Sequence, residues 1–176
     1  MNKIVIPLLF IMSGCISEMR IYTDHDPDYN VKSYKTFDWL QKTNIEHENN
    51  PLHYNELNDK RIKLAVEEQL KRKGYLLSAD KPDLLVHYHI IVDDQSIVTT
   101  DPLGYFYTPY WTHLQTTIRQ YREGTLIIDV MESNTNNLIW RGWASSPIDE
   151  EYTPNKIDGL IKKAVANIFK KFPGKG

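Results

Sequence analysis

Two histidines stand two residues apart in the run DLLVHYHIIV, residues 83–92. In an extended chain, positions i and i+2 point to the same side, so His87 and His89 present two imidazoles together, the start of a metal site. Asp93 and Asp94 lie just beyond. A metal site needs three or four convergent donors, and the chain shows neither HExxH nor another close histidine pair. The expectation is a polar, half-exposed sheet face, with no metal and no cofactor. The acidic run DEE, residues 149–151, precedes a helical pattern. It is read as complementing the positive helix start, worth about 0.3–1 kcal/mol per charge, ahead of a cation site. Nucleophilic catalysis finds little support. There is no G-x-S-x-G, and His25, His47, His53 and His113 are scattered without triad spacing. The eight glycines form no phosphate-cradling loop. The expectation is a protein that is not an enzyme.

The one thiol has a different chemistry. Cys15 ends the apolar run IVIPLLFIM after the small residues Ser13 and Gly14, and Lys3 supplies a positive start. This is the order of a signal peptide, and the run falls well short of the ~20 residues that span a bilayer. Met12, Ser13, Gly14 and Cys15 resemble the bacterial lipoprotein lipobox. That resemblance implies a diacylglyceryl group on the thiol, cleavage before Cys15, and acylation (palmitate among the chains) of the new amine. Several acyl chains hold a protein at a membrane where one holds only marginally. Residues 1–14 are then a signal peptide and 15–19 a lipidated tether. Loss of Lys3 leaves 20 basic against 23 acidic residues. Ile16 and Ser17 follow the cysteine with no acidic neighbour, which by resemblance to lipoproteins points to the outer membrane.

The segment TDPLGYFYTPYWTHLQTTIRQYREG, residues 100–124, is read as a long loop that asks for a use. Tyr105, Phe106, Tyr107, Tyr110 and Trp111 crowd into seven positions. Tyr and Trp favour interfaces and stack on sugar rings, so these five are the candidate contact surface. The competing reading is an extra hairpin whose aromatics cover the core.

The remaining elements must position these groups. Residues 20–30 open with a brief strand ended at Asp26-Pro27, and VKSYKTFDWL, 31–40, alternates as a strand. Residues 41–55 read as a loop punctuated by Pro51. Ile62, Ala65, Val66 and Leu70 fall at helical spacing within 55–73, closed by Gly74. Leu84, Val86, Tyr88, Ile90 and Val92 form the apolar face of a strand, with Leu85, His87, His89 and Ile91 on its other face. Residues 124–144 read as a hairpin: Leu126, Ile128 and Val130 on one face, an Asn-rich turn, then Leu138, Trp140 and Gly142 against Ile139, Arg141 and Trp143. The clearest helix carries Ile157, Leu160, Ile161, Ala164, Val165, Ile168 and Phe169, opened by Thr153-Pro154 and closed by Pro173-Gly174. The fold class is α+β: a small mixed or antiparallel β-sheet with two main helices packed on one face, in a single domain over 20–176. Trp140 and the Leu160, Ala164, Ile168 stripe are expected in the core.

Composition agrees with a globular domain, at 41% hydrophobic and 25% charged residues. The net charge of −2 gives no basic face for nucleic acid. Three segments, YKTFDW at 34–39, GYLLSADKPDLLVHYHI at 74–90 and GTLIIDVMESNTNNLIWRGWA at 124–144, together with the lipobox resemble the bacterial envelope lipoproteins grouped as domain of unknown function 4136. The resemblance spans nearly the whole chain after the signal peptide. It implies a lipoprotein with an α+β domain and brings no assigned enzyme activity. The expected function is a membrane-anchored envelope protein acting as a binding or structural module. Its partners are the membrane, through Cys15, and an envelope protein or glycan. The alternative is an envelope hydrolase acting on glycan or peptide, which would show a cleft with shifted titratable groups.

Overall fold

The computed structural model describes residues 19–40, 55–102, 114–149 and 151–174. Among the described residues, six strands and two α-helices follow one another as β1 (Arg20–His25), β2 (Thr36–Trp39), α1 (Glu56–Arg72), β3 (Leu76–Leu77), β4 (Leu84–Pro102), β5 (Leu114–Glu132), β6 (Leu138–Ile148) and α2 (Pro154–Lys170). The strands form one sheet in the order β1-β6-β5-β4-β2-β3. It is mixed: β2 runs parallel to β3 and β4, and the other neighbours are antiparallel. The α+β class therefore holds, but the sheet is not small. Six strands, two of them 19 residues long, exceed the expectation.

The local signals act where the sequence places them. Asn55 caps α1 by accepting from the Asn58 amide at 2.9 Å. At its other end Gly74 takes φ 87°, while Gly74 N–H donates to Lys71 and Tyr75 N–H to Leu70. Those two bonds are the Schellman pairing, and glycine supplies the left-handed turn without a Cβ clash. α2 begins at Pro154 behind Thr153, whose hydroxyl accepts from the Lys156 amide. Ile62, Val66 and Leu70 of α1 join Val165, Ile168 and Phe169 of α2, Phe37, and the strand residues Leu84, Val86, Ile128 and Val130 in one core. Trp140 is buried at 2% exposure, against Phe169 and edge-on to Phe172. Ala164 and Ile168 are buried, and Leu160 is partly so.

Three expectations change. Residues 31–40 are a strand only from Thr36. Before it, the Asn30 side chain accepts from the Lys32 amide and the Asn30 carbonyl from Ser33, which winds Val31–Ser33 into a 3-10 turn. Residues 100–124, where they are described, pair as the hairpin reading expects and not as a loop: Thr100–Pro102 continues β4 and Leu114–Gly124 belongs to β5, paired one to one out to Pro102↔Leu114. Their polar sequence conceals this, because a two-stranded ribbon needs no apolar face to keep its hydrogen bonds. Third, Leu138 does not share a side with Trp140. A bulge between Val130 and Met131 places Trp140 opposite Val130 and Leu138 opposite Met131, which leaves Ile139 without a register partner on β5. Two successive residues, Ile139 and Trp140, are therefore buried while Leu138 is 43% exposed.

One clamp joins residues far apart in the sequence. The Asp83 carboxylate accepts from the amides of Lys35 and Thr36 at 2.7 and 2.9 Å, and Asp83 N–H donates to the Thr36 hydroxyl. It pins the start of β2 to the start of β4 and so sets their parallel register.

Candidate functional site

β-Sheet pairing gathers polar and aromatic side chains at alternate positions of the four longest neighbouring strands. One row across the sheet reads Asp24, Arg141, Asp129, His87; the next reads Tyr22, Trp143, Ile127, His89. Asp129 interrupts an apolar strand and is buried at 5% exposure. Arg141 holds it by two parallel bonds, Nε to Oδ1 at 2.6 Å and Nη2 to Oδ2 at 2.8 Å. A buried carboxylate requires such a partner, and guanidinium matches its geometry. In return the bond to Asp129 raises the Arg141 pKa above its ordinary value.

The two histidines lie at the same carboxylate. His89 Nε2 is 3.7 Å from Asp129 Oδ2, and the rings of His87 and His89 meet edge-on at 4.2 Å. His87, His89 and Asp129 each bring one donor atom within 4.8 Å of the others. Spacing alone marks two donors and no third; β5 supplies it, because its register sets Asp129 directly across from His87. An acid in the run LIIDV was the available signal, but its partner depended on strand register. Next to the cluster, Tyr22 and Trp143 stack at 5.4 Å with 23° between planes.

An apolar pocket of about 130 Å³ lies among Ile62 of α1, Ile90, Leu126 and Ala144 of the sheet, and Leu160, Ile161 and Ala164 of α2. Its wall includes Met19, where the described chain begins. The volume suits a group the size of benzene.

Other candidates fare differently. Asp149 turns its carboxylate to the Glu151 amide, and α2 has no acidic residue in its first turn. The acidic run therefore stands outside the helix start, and Thr153 is the cap. Cys15, the contact residues Tyr105, Phe106, Tyr107, Tyr110 and Trp111, and His47, His53 and His113 lie outside the described residues. His25 ends β1 opposite Trp140, away from the histidine pair. Among the described residues no helix is long and apolar enough to cross a membrane.

No curated protein matches the chain. Among solved structures, the fold is similar to part of a PDZ domain protein from Parabacteroides distasonis, with a TM-score of 0.55 at 15% identity over 89% of this chain. The chain spans 37% of that protein's length. More distant likenesses are a neuraminyllactose-binding hemagglutinin homolog from Helicobacter pylori (TM-score 0.42, 18% identity, 80% of this chain and 86% of that one) and the PelC dodecamer from Paraburkholderia phytofirmans (TM-score 0.46, 5% identity, 86% and 95%). The sheet and its helices fall within a single family match over residues 21–174, and the chain belongs to the family described as Domain of unknown function (DUF4136).

Proposed function

We propose that this chain is a lipid-anchored protein of the bacterial cell envelope. Acyl chains on Cys15 hold it at the outer membrane. It acts as a binding or structural module whose contact surface is Tyr105, Phe106, Tyr107, Tyr110 and Trp111. The observation that carries this reading is the β4–β5 ribbon. Its last eight pairs, Gln95↔Tyr121 to Pro102↔Leu114, lie beyond the final pair of β5 with β6, Arg122↔Ile148. Eight residues at ~3.4 Å each make an arm of about 27 Å. The aromatic segment joins the two ends of that arm.

The anchor leaves from the same end of the sheet. Arg20 opens β1 opposite Ser145, and its guanidinium pairs with Glu123, two residues from the start of the arm at Tyr121. Residues 15–19 reach at most about 18 Å. This is shorter than the arm, so an arm directed along the tether would bring its end to the membrane plane. In the same reading both helices cover one face of the sheet. The Tyr88 hydroxyl donates to Asp59 of α1, and Trp140 packs on Phe169 of α2. Tyr88 and Trp140 occupy alternate strand positions that point to one side, while Tyr22, Trp143 and His89 point to the other.

Exchanging Tyr105, Tyr107 and Trp111 for serine tests the contact surface. Envelopes carrying the lipidated protein are crosslinked, and the attached protein or glycan is identified by mass spectrometry. The triple variant should lose the wild-type adducts at an unchanged melting temperature. Lower stability with unchanged adducts would make the aromatics part of the core and end the reading.

A further inference from the structure

We propose that His87, His89 and Asp129 form a binding site for one divalent transition metal of the zinc class. The argument begins with backbone geometry. His87 and His89 share a face of β4, and Asp129 is the cross-strand partner of His87 on β5. All three donors thus stand on paired strands, which fix their Cα positions more closely than loops do. Their donor atoms already lie within 4.8 Å of one another.

The donor set selects the metal. Two imidazole nitrogens and one carboxylate oxygen suit Zn²⁺, whereas Mg²⁺ and Ca²⁺ call for oxygen alone. A tetrahedral zinc with ligands at ~2.0–2.1 Å separates them by about 3.3 Å. His89 Nε2 and Asp129 Oδ2 are 3.7 Å apart, so a small side-chain rotation closes that edge. The His89 side chain is 43% exposed. The fourth position therefore opens to solvent, for water or for a donor from a partner.

Arg141 is the opposing consideration. Its charge repels a cation, and it holds both oxygens of Asp129. The 2.6 Å bond from Nε to Oδ1 can persist while Oδ2 turns from Nη2 to the metal. Arg141 then orients the carboxylate, as groups outside a metal's own ligands commonly do. The nearby positive charge makes this site weaker than a closed structural zinc site.

The test uses the full chain without an added histidine tag, stripped of metal and titrated with Zn²⁺ against a chromophoric chelator. Co²⁺ absorption reports the coordination geometry. Wild type should bind one Zn²⁺ per chain and gain melting temperature with it. His87→Asn and His89→Asn should each weaken binding at least ~10-fold, the lower bound for losing even an outer-shell partner. Their metal-free melting temperatures establish that both remain folded. His25→Asn, outside the cluster, should bind as wild type does. The proposal is overturned if wild type binds no more tightly than the double variant His87→Asn/His89→Asn. It is also overturned if His25→Asn loses as much affinity as His89→Asn.

Discussion

Gly142→Ala adds one methyl group where β6 packs against α2. A Cβ at Gly142 would stand 2.5 Å from Ile168 Cγ2 and 2.9 Å from Trp140 Cζ2, with Trp140 Cη2 nearer still. Carbon atoms rest at ~3.5–4.0 Å, so the overlap is about 1 Å on two sides. Neither neighbour yields easily. The Trp140 ring is wedged 4.8 Å from Phe172 and 5.8 Å from Phe169, and Ile168 is fully buried on the helix. Overpacking of this kind costs ~1–3 kcal/mol, and two rigid neighbours place Gly142→Ala near ~3. Trp140→Ala alone should cost ~3–5 kcal/mol, as large core truncations do. It also removes one of the two obstructions and leaves space beside the new methyl. The double variant should therefore be more stable than the sum of the two by ~1 kcal/mol or more, within the range for residues in contact. Urea denaturation followed by far-ultraviolet circular dichroism measures all four proteins, since tryptophan fluorescence changes with Trp140 itself. Additivity within ~0.5 kcal/mol would show that Trp140 and Gly142 do not share one packed space, and the core geometry argued above would be wrong.

Further expectations address other links. Cys15→Ser should carry no acyl mass at its N-terminus and move from the membrane to the soluble or uncleaved fraction; an unacylated wild type would refute the anchor outright. Burial raises the Tyr75 pKa to about 12 from an ordinary 10.0, and burial followed by the Glu132 hydrogen bond does the same for Tyr34. The folded state then holds protons that the unfolded chain has lost. The stability these groups add is complete below pH 10 and disappears as pH rises through 12. Tyr75→Phe should flatten that alkaline loss in denaturation curves, and an unaltered slope would remove Tyr75 from the account. Thr153→Ala should cost about 0.5 kcal/mol, the low end for an N-cap, because the bond to the Lys156 amide is long at 3.4 Å; equality with wild type in the same urea melts would mean the hydroxyl does not cap α2.

The helices, the apolar face of β4 and the hairpin of β5 and β6 are legible in the sequence. Each rests on rules that act within a few residues. A stripe at three and four, an Asn or Thr before the first turn, and Gly74 after the last are written in consecutive positions, as are the motifs that mark the family. The sheet order was not written there. Backbone amides and carbonyls are the same in every residue, so nothing local says that β1 joins β6 or that β2 lies parallel to β4. Residues 114–124 leave loop and hairpin both open because a ribbon paired on itself shows no apolar period. Leu138 and Ile139 exchanged places because one bulged residue shifts the alternation that a sequence pattern assumes. The candidate site divides along the same line. His87 and His89 declare themselves by spacing, while Asp129 lies 40 residues beyond His89 and reaches them only through strand register. That register is set by the combined packing of both strands against the core, and no single segment contains it.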